Sequence, residues 1–192
     1  PASQEIKEIA TGFSARRLVT AAENNTNSTK VYGAASVGEN FIFSYDYQSD
    51  IFEKIDAPAA SSALVLSNDI IYFTKESGEL YEYDINEQEV RKIGNGLSKG
   101  FSWAGVSDEN SLIHFGGGTT PWIFIYDPNE EWNPGTNIEN NPVMIDKPIE
   151  DTVRIRALTI GPDNTVYAGT AWNAYFFDYK LTKLKQEIKV AP

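Results

Sequence analysis

Few residues in this 192-residue chain can do chemistry, and their types narrow the options quickly. There is one histidine, His114, and no cysteine. A disulfide, a thiolate nucleophile and a thiolate metal site are therefore excluded, as are a three-histidine metal centre and any mechanism that needs two imidazoles. No nucleophile–base pair stands out, so no catalytic residue, metal ligand or cofactor is assigned. His114 fills a slot held by Tyr32, Tyr72 and Tyr167 in comparable segments, which points to packing. Asp46, Asp84, Asp127 and Asp178 each follow an aromatic residue at the end of a short alternating run. A ring of metal ligands can be imagined from them, but that placement favours carboxylates that accept backbone N–H bonds two residues on and so fix a turn. The run Gly116-Gly117-Gly118 is followed by neither Lys-Ser/Thr nor a helical pattern, so it is no phosphate loop.

Groups suited to binding are better represented. Arg17 and Arg156 each open an apolar run, and their planar donor forks match carboxylates such as those of uronic acids. The alternative is a pair of charges neutralised by neighbouring acids. Phe101 and Trp103 open an equivalent run, either as a stacking platform or as core. Trp122 follows the glycines, and Trp132 lies in a long polar insertion running from Pro128 to Asn141. Irregular loops of that length on a rigid scaffold are favoured places for ligands. The two indoles could stack on sugar rings, and they could equally cover the insertion's own small core.

The elements that must hold these residues repeat. The aromatic–Asp pair recurs roughly every 40 to 50 residues, and two further β-rich runs precede each pair. Examples are Ala63-Leu64-Val65-Leu66 and Ile70-Ile71-Tyr72-Phe73 before Tyr83-Asp84, with Ser67-Asn68-Asp69 as the turn between them. A more charged run follows, as in Glu89-Val90-Arg91-Lys92-Ile93. Four short meandering strands per unit, with small apolar residues first and charges last, is the pattern of a β-propeller blade. The fold class is thus all-β. About four four-stranded blades are expected near residues 12–56, 57–98, 99–150 and 151–190, in a single region spanning 1–192. Residues Lys7–Ser14 align without gaps to Arg91–Ser98, so 5–10 read as the outer strand of a preceding blade. The chain then reads as an arc of a larger ring or a self-associating half ring, completed by further blades or a second copy. In such a ring the starts of the innermost strands open onto a central depression, where Arg17, Arg156, Phe101 and Trp103 would meet.

Composition agrees and limits the partners. Hydrophobic residues make up 41%, charged residues 22% and aromatic residues 12%, as in a folded chain that leans towards strands. A net charge of −11 disfavours nucleic acid and anionic membranes. No apolar run is long enough to insert as a transmembrane helix. Acidic, Cys-free and rich in Asn, Thr and Tyr, the chain reads as an exported bacterial protein, extracellular or cell-surface.

Residues Val153 to Thr170, with Arg156-Ala157-Leu158, Gly161-Pro162-Asp163-Asn164 and Tyr167-Ala168-Gly169-Thr170, resemble repeats of bacterial propellers of the quinoprotein-like and two-component-regulator kinds. Ser77 to Asp84 is similar to their third strand. His114-Phe115-Gly116-Gly117-Gly118 through Tyr126-Asp127-Pro128 and Trp132 is similar to a kelch repeat, although the double glycine is confined to that unit. The resemblance implies architecture, since propellers host many unrelated functions. Two expectations follow. One is a binding or interaction module for a glycan or a protein. The other is a fragment of a propeller enzyme, a polysaccharide lyase or glycoside hydrolase acting on acidic polysaccharide.

Overall fold

The computed structural model describes residues 18–22, 29–37, 39–58, 63–75, 77–95, 97, 102–118, 120–146, 148, 154–171, 176–182 and 185–190. They form four antiparallel sheets of four strands each, every sheet a simple meander. The first holds β1 (Leu18–Ala22), β2 (Lys30–Val37), β3 (Glu39–Asp46) and β4 (Ile51–Ile55). The second holds β5 (Leu64–Ser67), β6 (Ile70–Thr74), β7 (Leu80–Asp84) and β8 (Glu89–Gly94). The third holds β9 (Ser102–Ser107), β10 (Ile113–Gly117), β11 (Trp122–Tyr126) and β12 (Val143–Asp146). The fourth holds β13 (Arg154–Ile160), β14 (Val166–Ala171), β15 (Phe176–Thr182) and β16 (Lys185–Val190). The first strand of each sheet adjoins the first strand of the next, in the order β1, β5, β9, β13. The arrangement is that of propeller blades. The expected strand at 5–10 lies outside the described residues.

Burial explains the order of strands within a blade. Strand β6 buries Ile71, Tyr72, Phe73 and Thr74, and β11 is buried along its whole length, whereas β4 and β8 alternate between exposed and half-buried. Sheets of this kind bury their middle strands on both faces, while the charged fourth strand meets water. Three apolar layers sit between blades. Tyr32, Ile42, Leu64, Ile71 and Phe73 form the first. Val65, Tyr72, Leu80, Phe115 and Phe124 form the second, and Ile123, Ile125, Ile155, Val166 and Ala168 the third. Each fully buried side chain of this size contributes about 1.5–3 kcal/mol. Close approach of blades requires a missing side chain at Gly116, where a Cβ would stand 2.5 Å from Cγ2 of Ile155.

The aspartate turns hold in three blades. Asp46 accepts from the backbone N–H of Gln48 and Ser49, Asp84 from those of Asn86 and Glu87, and Asp127 from that of Asn129. The fourth member of the repeat is different. Across the ladder, Val31 faces Tyr45, Ile71 faces Tyr83, Ile113 faces Tyr126 and Val166 faces Tyr179. Tyr179 is therefore the equivalent tyrosine, and Lys180 stands where the other blades carry aspartate. Asp178 comes two residues early, and β15 continues past it to Thr182. The match of Phe177-Asp178 to the repeat is a coincidence of residue types.

Candidate binding site

Two neighbouring innermost strands, β9 and β13, each carry a bulge at the same end. On β9, Ala104 pairs with Gly116 and Ser102 with Gly117, which leaves Trp103 as the extra residue. On β13, Ile155 pairs with Thr170 and Ala157 with Gly169, which leaves Arg156 as the extra residue. A bulge re-aims the side chain it carries. Here the two re-aimed side chains meet, with the Arg156 guanidinium carbon 3.3 Å from the Trp103 ring centroid. Arg154, on the same strand, lies 5.5 Å from that centroid. A guanidinium on an indole face is held by the ring's negative quadrupole, worth roughly 0.5–2 kcal/mol depending on exposure. Arg156 is exposed, while Trp103 and Arg154 are half-buried.

The indole is pinned from several sides. A Cβ on Gly118 would fall 1.5 Å from Cδ1 of Trp103, so only glycine allows that ring position. One residue earlier in the chain, Ser102 shares a buried 2.6 Å hydrogen bond with Thr74 at the end of β6, which ties the start of β9 to the preceding blade. Ile155 between the two arginines is fully buried against Gly116 and anchors β13 to the third blade.

Of the residues singled out in the sequence, Trp103 and Arg156 come together as described. Arg17 and Phe101 lie outside the described residues. Trp122 is 5% exposed, stacked on Phe124 at 5.2 Å, with a Cβ on Gly117 falling 2.5 Å from its Nε1. Trp132 is half-buried, packs 5.8 Å from Tyr126, and reaches across to the second blade, where a Cβ on Gly94 would meet it at 2.2 Å. Both indoles therefore have internal neighbours. Arg154 was missed by sequence reasoning. Its signal was the alternation Arg154-Ile155-Arg156, which puts two arginines about a buried isoleucine.

The insertion does enclose a space. A cleft of about 580 Å³ is bordered by Asp127, Glu130, Glu131 and Glu139, with Ile125 and Val143 among its apolar walls. Asn141 organises this segment. Its amide accepts from the backbone of Asp127 and donates to the carbonyls of Asp127 and Glu130.

His114 lies near the other end of β10 from Gly117. It is 1% exposed, and its Nε2 is 3.4 Å from Oδ2 of Asp108. Burial alone would raise the Asp108 pKa. Its bonds from His114 and from the backbone N–H of Leu112 and Asn110 outweigh that and hold the carboxyl below its ordinary value. Among the described residues, no group of three or more acids and histidines is placed to hold a metal ion. Among the described residues, no helix is long and apolar enough to cross a membrane.

Neither a protein-family model nor a curated protein matches the sequence. Solved structures do resemble the fold. The chain aligns with the extracellular domain of BT4673 from B. thetaiotaomicron at 18% identity and a TM-score of 0.62, over 89% of this chain and 21% of that one. It aligns with streptogramin B lyase at 16% identity and a TM-score of 0.66, over 91% of this chain and 58% of that one. The WD40 β-propeller domain of Doa1 aligns at 12% identity and a TM-score of 0.61, over 83% of this chain and 49% of that one. The chain thus spans less than two thirds of each, and about a fifth of the first. At these identities the likeness shows the fold, and the chain is a β-propeller.

Proposed function

We propose that this propeller is a binding module of an exported bacterial protein, recognising a glycan or protein ligand at the face where β9 and β13 begin. The observation that carries the reading is the Arg156–Trp103 stack, an exposed cation oriented by two adjacent bulges. Residues pre-organised in this way, on innermost strands rather than loops, lose little freedom when a ligand arrives. That one structural neighbour is an extracellular domain gives the exported placement some support.

The second reading, a fragment of a propeller enzyme acting on acidic polysaccharide, draws on the same arginines and on the likeness to a lyase. It has less support within this chain. The only histidine is buried against Asp108 near the opposite end of β10.

A glycan and peptide array probed with the chain, followed by affinity measurement for the strongest hits, tests the first reading. Arg156→Ala and Trp103→Ala should each weaken binding at least about tenfold, the loss of one good charge-assisted contact. Retained affinity in both variants, with folding intact, would overturn the assignment of this face.

A further inference from the structure

We propose that the cleft enclosed by the third blade's insertion is a second binding site, which takes a short lysine- or arginine-bearing segment of a partner protein. The cleft is separate from the Arg156–Trp103 stack, so it stands or falls apart from the reading given above.

The cavity joins an apolar wall to an acidic rim. Ile125 and Val143, anchored in the blade core, border it on one side, and Ile138 stands on the insertion with 41% of its surface exposed. Glu130, Glu131 and Glu139 are exposed around it, and Asp127 is half-buried. Among the described residues none of these four carboxylates has a basic partner, whereas Glu53, Glu79 and Glu89 each have a lysine or arginine at 3.8 Å or less. Charges of one sign beside a low-dielectric wall focus the field into the cleft and favour entry of a cation. The walls are fixed before a ligand arrives. Asn133 and Asn141 exchange backbone hydrogen bonds, Gly135 bonds to Pro142 and Met144, and the Asn140 side chain accepts from the backbone N–H of Asn137. A volume of about 580 Å³ is that of an ordinary ligand pocket, and little loop order has to be acquired on binding.

The placement of the acids selects the kind of cation. Among the described residues no three of them converge as metal ligands, so a ligand with separated charges gains more there than a single ion. A lysine or arginine lays its aliphatic stem along an apolar wall and keeps its charged end in the wet rim. Asn133, exposed at the cleft, adds an amide that suits a peptide backbone and has no counterpart in a simple polyamine. The net charge of −11 draws a basic segment towards the chain from a distance.

Fluorescence polarisation of a labelled peptide of alternating lysine and leucine, titrated with the full chain, tests this. The expected result is saturable binding that weakens as salt rises. Glu130→Gln, Glu131→Gln and Glu139→Gln combined should weaken it about tenfold, the loss of three partly exposed charge contacts. A charge-matched variant with Glu53→Gln, Glu87→Gln and Glu89→Gln should bind within about twofold of the unaltered chain, because those acids lie outside the cleft. Ile138→Ser should weaken binding severalfold with no change in charge. All seven side chains are exposed, so folding is retained, and thermal melting checks it. Unlabelled peptide should displace the probe at far lower concentration than spermidine or calcium. No binding, equal weakening in the two charge variants, or full affinity in both the cleft variant and Ile138→Ser overturns the site. Displacement by spermidine or calcium as readily as by unlabelled peptide overturns the peptide as its occupant.

Discussion

At the scale of single residues, the position of Trp103 depends on the absence of a methyl group on its neighbour. Gly118→Ala would place a Cβ 1.5 Å from Cδ1 of the indole, so the ring must move. The expected cost is roughly 1–3 kcal/mol from overpacking, with ligand affinity falling alongside it, although residue 118 need not touch the ligand. Chemical denaturation and titration of that variant check both effects. Asp108 yields a pH prediction. Its carboxyl is held below the ordinary value by His114 and by two backbone N–H groups, against the opposing effect of burial. A depressed folded-state pKa contributes stability that is complete above the unfolded value, about pH 4, and is lost as pH falls through the folded one. Asp108→Asn should therefore shrink the difference in urea midpoint between pH 7 and pH 3. An unchanged difference would show that this carboxyl contributes nothing to the acid limb. The residue types at this scale could be read from the chain, since Arg156 and Trp103 stand near the starts of their strands. Their contact could not, because each bulge is a property of cross-strand register, which one strand's own sequence does not encode.

At the scale of elements, the third blade's insertion is built into the fold. Asn141 is buried and serves three backbone groups, so Asn141→Ala leaves them unsatisfied and should cost about 1–3 kcal/mol. Limited proteolysis should then cut within 128–140 sooner than in the unaltered chain. Trp132 lies across the boundary between the second and third blades, on Tyr126 and Gly94. Trp132→Ala should destabilise by roughly 2 kcal/mol, less than a fully buried tryptophan would, while leaving ligand affinity at the stack unchanged. A loss of affinity with stability intact would instead place a ligand at the insertion. The strands themselves were legible because alternation such as Leu80-Tyr81-Glu82-Tyr83-Asp84 has the strand period and ends in a turn-former. The fourth blade misleads for a physical reason. Lys180 replaces the turn aspartate there, and a nearby aromatic–Asp pair mimics the lost signal two residues early.

At the scale of the molecule, the two ends of the blades differ. Hairpins of neighbouring blades are tied to each other at one end: Ser107 donates to Ser67, Asn68 donates to Ser111, and the Glu109 backbone donates to Asn164. At the opposite end, the starts of β9 and β13 present the stack beside the glycine run. Inter-blade cohesion has its own test in the buried Thr74–Ser102 bond. Thr74→Val or Ser102→Ala alone should cost about 1–3 kcal/mol by breaking a buried hydrogen bond, whereas the double variant should cost less than the sum of the two. Strict additivity would mean that the bond does not couple the blades. The repeat period made the architecture visible from sequence. The face that matters was visible only as a likelihood of convergence, because it is set by which strand ends are adjacent in space. Hydrogen exchange with and without a bound ligand addresses that face directly. Protection should rise at residues 102–104, 116–118 and 154–157 and stay unchanged at the hairpins 68–69, 108–112 and 161–165. Protection confined to the insertion at 128–142, or to the hairpin end, would contradict binding at the Arg156–Trp103 stack.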